Sequence, residues 1–188
     1  MRTISKLIIL CSLSTILAAC GTSPTQEDHL GYKMVSESDH EKTHEANVDY
    51  ADRLPSHIST GEKTILVDPN VHAWGAYNEQ GELIKAGLAT AGSNYCPDIK
   101  RSCRTSAGSF RIQSLGNASC KSTKYPLPKG GAPMPYCMFF NGDQGLHGSY
   151  EVVEGNASHG CVRMHVEDAK WIRNHFANIG TKVIVRPY

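Results

Sequence analysis

Between Leu146 and Met164 the chain reads LHGSYEVVEGNASHGCVRM, which brings two histidines, a cysteine and an arginine into one short stretch. A cysteine attacks a carbonyl as its thiolate, so Cys161 needs a base or a positive field beside it. An imidazole, ordinarily titrating near neutral pH, can be that base, and His147 and His159 are the two candidates. Gly160 lets the backbone approach a substrate closely, and the amides of Gly160 and Cys161 could hold a developing oxyanion. The planar fork of Arg163 suits a carboxylate, and Ser158 is placed to bond locally. The chemistry written in these residue types is nucleophilic acyl transfer. A structural reading of Cys161 competes with it, because free cysteines are often buried as small apolar groups. His147, His159, Cys161 and His165 could also be taken for a zinc set, but a metal would occupy the thiolate, so no metal is expected.

Spacing does not decide between His147 and His159, but the motif does. His147-Gly148 followed by Ser158-His159-Gly160-Cys161-Val162-Arg163 resembles the signature of the L,D-transpeptidase catalytic domain family, cysteine enzymes that cross-link peptidoglycan. Upstream, TSAGSF (Thr105 to Phe110) is similar to the T-P-x-G-x-F loop of that family, with Ser106 where proline is usual. The resemblance implies that His147 is the base, oriented by a backbone carbonyl such as that of Gly148. It implies that His159 shapes the site and holds the thiol, and that Arg163, with Ser158, Gly160 and Gly148, lies on the substrate side. It implies a reaction without cofactor. Cys161 attacks the carbonyl of the L-centre at position three of a peptidoglycan stem peptide, D-alanine leaves, and an amine resolves the thioester. The outcome is a cross-link, attachment of a protein, or exchange of a D-amino acid. Water in place of the amine would make an L,D-carboxypeptidase. A wall-binding lipoprotein without turnover is the rival of another class, and it would be indifferent to loss of Cys161.

The start of the chain bears on where this happens. Arg2 and Lys6 precede a mostly apolar run from Leu7 to Leu17, too short for a permanent membrane span. It ends in Leu17-Ala18-Ala19-Cys20-Gly21, which resembles a bacterial lipobox. That implies a signal peptide at 1–19, lipid on Cys20, and a membrane anchor on the periplasmic face, with Gly21 resembling lipoproteins sorted to an outer membrane. Residues 21–60 are poor in apolar groups and carry eight Asp or Glu against three Lys or Arg, so 20–60 reads as a flexible acidic tether. His40 and His44 within it read as solvated side chains. The catalytic domain is then 61–188, with a mild positive balance and no basic cluster interleaved with aromatics, which argues against a nucleic acid partner.

Seven cysteines occur, at 11, 20, 96, 103, 120, 137 and 161. Cys11 leaves with the signal and Cys20 takes lipid, which leaves Cys161 as the odd thiol beside an even set of four. Exported proteins keep disulfides. Three pairings are open; loop-like stretches between them favour Cys96 with Cys103 and Cys120 with Cys137, a crossed pairing being the second choice.

The elements that must carry the site read as mainly β. Lys63 to Asp68, Ala73 to Asn78 with Leu83 to Ala89, Ser109 to Ser114, Tyr136 to Phe140 and Thr181 to Arg186 look like strands. Ala169, Ile172, Phe176 and Ile179 fall at helical spacing, with acidic residues in the first turn and Gly180 as a stop. A β-sandwich or barrel with one helix packed near the C-terminus is the expected architecture, and the family resemblance implies the same. The cysteine-rich stretch from 96 to 137 is an elaboration that could wall the cleft.

Overall fold

In a computed structural model, the structure describes residues 49–188. The signal peptide, Cys11, Cys20, His40, His44 and most of the tether lie outside the described residues.

Two sheets face one core. The first is β3-β2-β1-β9-β4, built from β1 (Thr64–Asp68), β2 (Ala73–Tyr77), β3 (Leu83–Leu88), β4 (Gly108–Arg111) and β9 (Lys182–Val185). The second is β5-β6-β7-β8, from β5 (Ser114–Leu115), β6 (Met138–Asn141), β7 (Gln144–Ser149) and β8 (Val162–His165). Alternation along each strand sends one set of side chains inward. Ile65, Val67, Trp74 and Val183 from the first sheet meet Met138, Phe140, Leu146, Val162 and Met164 from the second. The helix α1 (Val166–Trp171) runs on into a π-helical turn, Ile172–Phe176, and closes this core with Ala169, Ile172 and Phe176. The helical period stops there, and Ile179 is 70% exposed in the following loop.

Every residue of β1 is buried, because both faces of its sheet are covered. The second face belongs to residues 49–60, which composition assigned to the tether. A 3-10 turn at Tyr50–Arg53 places Leu54 against Leu66, Ala73 and Tyr77, and the Tyr77 hydroxyl donates to the Pro55 carbonyl at 2.8 Å. A few apolar side chains suffice here, since they add to a face that the sheet already presents. Residues 49–60 therefore belong to the folded domain and not to the tether.

The strand expected over Ser109 to Ser114 is two strands. Ile112 N–H donates to Thr181 O on the first-sheet side and Gln113 N–H to Phe139 O on the second, so the chain changes sheets between them. Both phenylalanine and isoleucine still face the core, with Ile112 buried and Phe110 packed against it. The disulfides join Cys96 to Cys103 and Cys120 to Cys137.

Candidate active site

The site stands on β7 and β8, two parallel neighbours in register, with Leu146 opposite Val162 and His147 opposite Arg163. Leu146, Val162 and Met164 point into the core, so alternation turns His147 and Arg163 to the other face. Cys161, one residue before β8, reaches the same side, and all three line one cavity of about 640 Å³. Cys161 is the one free cysteine among the described residues, and it is half-buried.

The turn that presents the thiol is held from beneath. Ser158 is buried, and its hydroxyl donates to the Cys161 carbonyl while accepting from the Gly160 amide at 3.1 Å. Ser158 thus spends its hydroxyl proton inside the turn, while the residue itself lines the cavity. Gly160 has φ of +124°, a conformation that favours glycine. Its carbonyl accepts from the Thr105 hydroxyl at 2.9 Å, and that hydroxyl accepts from the Gly92 amide at 3.0 Å. Because the Gly160 amide is committed to Ser158, the expected oxyanion donor at this residue is withdrawn. The Cys161 amide has no partner among the described residues and remains for that role.

His147 is buried, and its Nδ1–H donates to the Gly148 carbonyl at 2.8 Å, leaving Nε2 with the lone pair. Burial brings its pKa down to about 4, with the charge of Arg163 acting in the same sense and the Gly148 bond against it. An imidazole expected to titrate near neutrality is instead unprotonated at neutral pH, with its Nε2 lone pair free, though a weaker base than in water. Burial also pushes the Cys161 thiol above its ordinary value; the Gly145 amide and Arg163 pull it down, and Asp143 pushes it up. Cys161 Sγ–H donates to the Asp143 carbonyl at 3.4 Å. Both shifts favour a resting thiol and neutral imidazole over a thiolate and imidazolium.

His159 sits elsewhere than expected. Its Nε2–H donates to the Asp98 carboxylate at 2.9 and 3.0 Å, and its ring packs against Tyr125 with centroids 4.5 Å apart. The thiol's hydrogen bond goes to the Asp143 carbonyl and not to His159, whose ring meets two loops at the cavity wall. Asp98, His159 and Cys96 come within 4.8 Å of one another, yet the Cys96 sulfur is bonded to Cys103, which removes the thiolate a metal would need. Gly148 is buried, its amide bonded to Pro135 O and its carbonyl to His147; a Cβ there would meet Val166 Cα at 3.0 Å. It is a packing residue and not a substrate contact. Arg163 is in the cavity wall, with Nη1 3.5 Å from Glu151. His165 is exposed just before α1.

Sequence reasoning missed Thr105 as a support of the turn, although it noted the TSAGSF loop, and it missed Asp98, Asp143, Gln144 and Tyr188. Gln144 accepts from the Ser106 amide at 3.0 Å and donates to Arg104 O at 3.2 Å, which fixes that loop despite the absent proline. No motif signals such contacts, which join residues distant in sequence.

The model of the YkuD L,D-transpeptidase catalytic domain matches residues 62–185, about two thirds of the chain. The chain belongs to the L,D-transpeptidase catalytic domain family. No curated protein matches it by sequence. Solved L,D-transpeptidases share the fold. One from Xylanimonas cellulosilytica is 21% identical with a TM-score of 0.60, over 70% of this chain and 64% of that one. One from Mycobacterium smegmatis is 20% identical with a TM-score of 0.55, over 67% and 59%. L,D-transpeptidase 3 from Mycobacterium tuberculosis, in complex with a faropenem-derived adduct, is 19% identical with a TM-score of 0.53, over 66% and 60%. The chain thus spans less than two thirds of the length of each of these relatives.

Proposed function

We propose that the protein is a cysteine L,D-transpeptidase acting on peptidoglycan stem peptides, anchored by lipid on Cys20 at the periplasmic face of a bacterial outer membrane. The observation that supports it most is that one free thiol and one buried imidazole line a single cavity, the imidazole oriented through Nδ1. His147 Nε2 takes the Cys161 proton as the sulfur bonds to the carbonyl carbon of the L-centre. The carbonyl oxygen becomes an oxyanion, held by the Cys161 amide. Collapse breaks the bond to the D-alanine nitrogen, which takes the proton from His147 and leaves a thioester. An amine then attacks the thioester carbon and gives its proton to His147; the sulfur departs and recovers that proton.

Transfer in this order means that neither group has to carry charge at rest, which fits the depressed imidazole and the raised thiol. The penem-derived adduct of the Mycobacterium tuberculosis relative supports an acylable site of the same kind here. A carbapenem should add its mass to the peptide containing Cys161, with no addition in Cys161→Ala. Chromatography of products from defined muropeptides, with amine acceptor and without, separates transfer from hydrolysis. Product formation unchanged in Cys161→Ala would refute the reading.

A further inference from the structure

Two loops closed by disulfides supply much of the cavity wall. The loop between Cys96 and Cys103 contributes Arg101, and the loop between Cys120 and Cys137 contributes Lys121, Lys124 and Tyr125. His159 meets both, through its bond to Asp98 on the first and its packing on Tyr125 of the second. The wall is therefore attached to the turn that carries the nucleophile.

Its charge is lopsided. Arg101, Arg104, Lys121, Lys124 and Arg163 line the cavity, against Asp143 and Glu151. Three of these cations have company: Arg163 is near Glu151, Arg104 donates through Nε to Asn94 at 2.8 Å, and Lys124 lies 5.5 Å over the Tyr125 ring. The side chains of Arg101 and Lys121 have no ion-pair or hydrogen-bond partner among the described residues. Unpaired cations on a concave wall focus a positive potential into it, and a guanidinium fork fits a carboxylate. Hydrophobic contact alone would not need them.

We propose that Arg101 and Lys121 form a carboxylate-recognising subsite that selects stem peptides by their free carboxylates. It rests on the acyl-transfer reading for the peptide's identity, but its physical content is a binding preference that exists without turnover. Donor and acceptor peptides both carry carboxylates, and the two are separated by experiment.

The test uses the full chain carrying Cys161→Ala, titrated calorimetrically with a tetrapeptide and with the same peptide amidated at its carboxylates. Amidation should weaken binding by about three- to tenfold, the range for two exposed charge contacts. Adding Arg101→Gln and Lys121→Gln should weaken the acid peptide by a similar factor and leave the amide peptide unchanged. With Cys161 intact, the double variant should keep its melting temperature and its alkylation by neutral iodoacetamide. Thioester formation without acceptor then reports the donor, and transfer from a preformed thioester reports the acceptor; whichever step carries the loss identifies the peptide held. Equal binding of acid and amide peptides, binding of neither, or equal losses for both on removing the charges overturns the subsite. If no thioester forms on intact Cys161 while the carboxylate preference persists, the subsite stands and the catalytic reading fails.

Discussion

The hydroxyl of Thr105 donates to the carbonyl of Gly160 across 2.9 Å, tying a loop on the far side of the chain to the residue before the nucleophile. The same oxygen accepts from Gly92, and the Tyr188 hydroxyl accepts from the Thr105 amide at 3.0 Å and donates to Gly92 O at 2.8 Å. A buried node of four hydrogen bonds thus sits under the turn at Cys161. Thr105→Val keeps the shape and removes the bonding, leaving a buried donor and acceptor unpaired at about 1–3 kcal/mol. Its acylation rate by a carbapenem should fall by about tenfold, as expected for misplaced reacting atoms, and Thr105→Ser should restore most of it. Equal rates for all three proteins would show that the node does not set the thiol's position.

His147 makes stability depend on pH. Its folded pKa, about 4, lies below its ordinary value of 6.5, so between these limits the unfolded chain binds a proton that the folded chain refuses. Stability from this group is complete above pH 6.5 and is lost as pH falls toward 4, by on the order of 3 kcal/mol. Melting temperatures of wild type and His147→Gln across that window should diverge, with the wild type the steeper. Parallel profiles would mean that the imidazole is better solvated than its burial implies.

His159 lies in the wall with its Nε2 on Asp98 and makes no hydrogen bond to the thiol. His159→Gln should therefore leave alkylation of Cys161 by iodoacetamide within about twofold, since no proton transfer passes through it. The Michaelis constant for a stem peptide should rise more than kcat falls, because the loops it meets lose an anchor. A collapse of alkylation would restore His159 to the chemistry.

The disulfide between Cys120 and Cys137 closes one of those loops and packs on Gly116, where a Cβ would collide with the Cys137 sulfur. Replacing both cysteines by serine should lower stability by about 2–4 kcal/mol, measured by denaturant titration. Thiol alkylation at Cys161 should persist, since the buried core under β7 and β8 comes from other elements and the loop adds only Tyr136 at its edge and the Pro135 carbonyl on Gly148. Loss of alkylation would mean that the loop supports the nucleophile and not only the wall.

Much of this was legible in the residues. Strands rich in β-branched groups, such as TILVD and KVIV, announced themselves, and the odd cysteine within SHGC pointed to the nucleophile. The two strands that carry the site did not. Gln144–Ser149 reads QGLHGS, and two glycines and a histidine hide a strand whose stability comes from its neighbours β6 and β8. Residues 49–60 were hidden for the opposite reason: an acidic composition describes the average of a segment, while Leu54, with Tyr50 and Ile58, decides where it docks. The helical period over 169–179 ran one turn too far because spacing does not reveal where the partner surface ends. Ser158, Gly148 and the Gly160 amide were read as facing substrate, but each satisfies a buried backbone group, a demand invisible until the turn is built.

The claim on which the account depends is that Cys161 forms a thioester with a stem peptide while D-alanine departs. Intact-mass spectrometry of the full chain after mixing with a defined tetrapeptide, without amine acceptor, reads it directly. The account predicts a mass gain equal to the peptide less D-alanine, located on Cys161, together with released D-alanine, and neither in Cys161→Ala. D-alanine released equally by Cys161→Ala, or an adduct on any other residue, would contradict it.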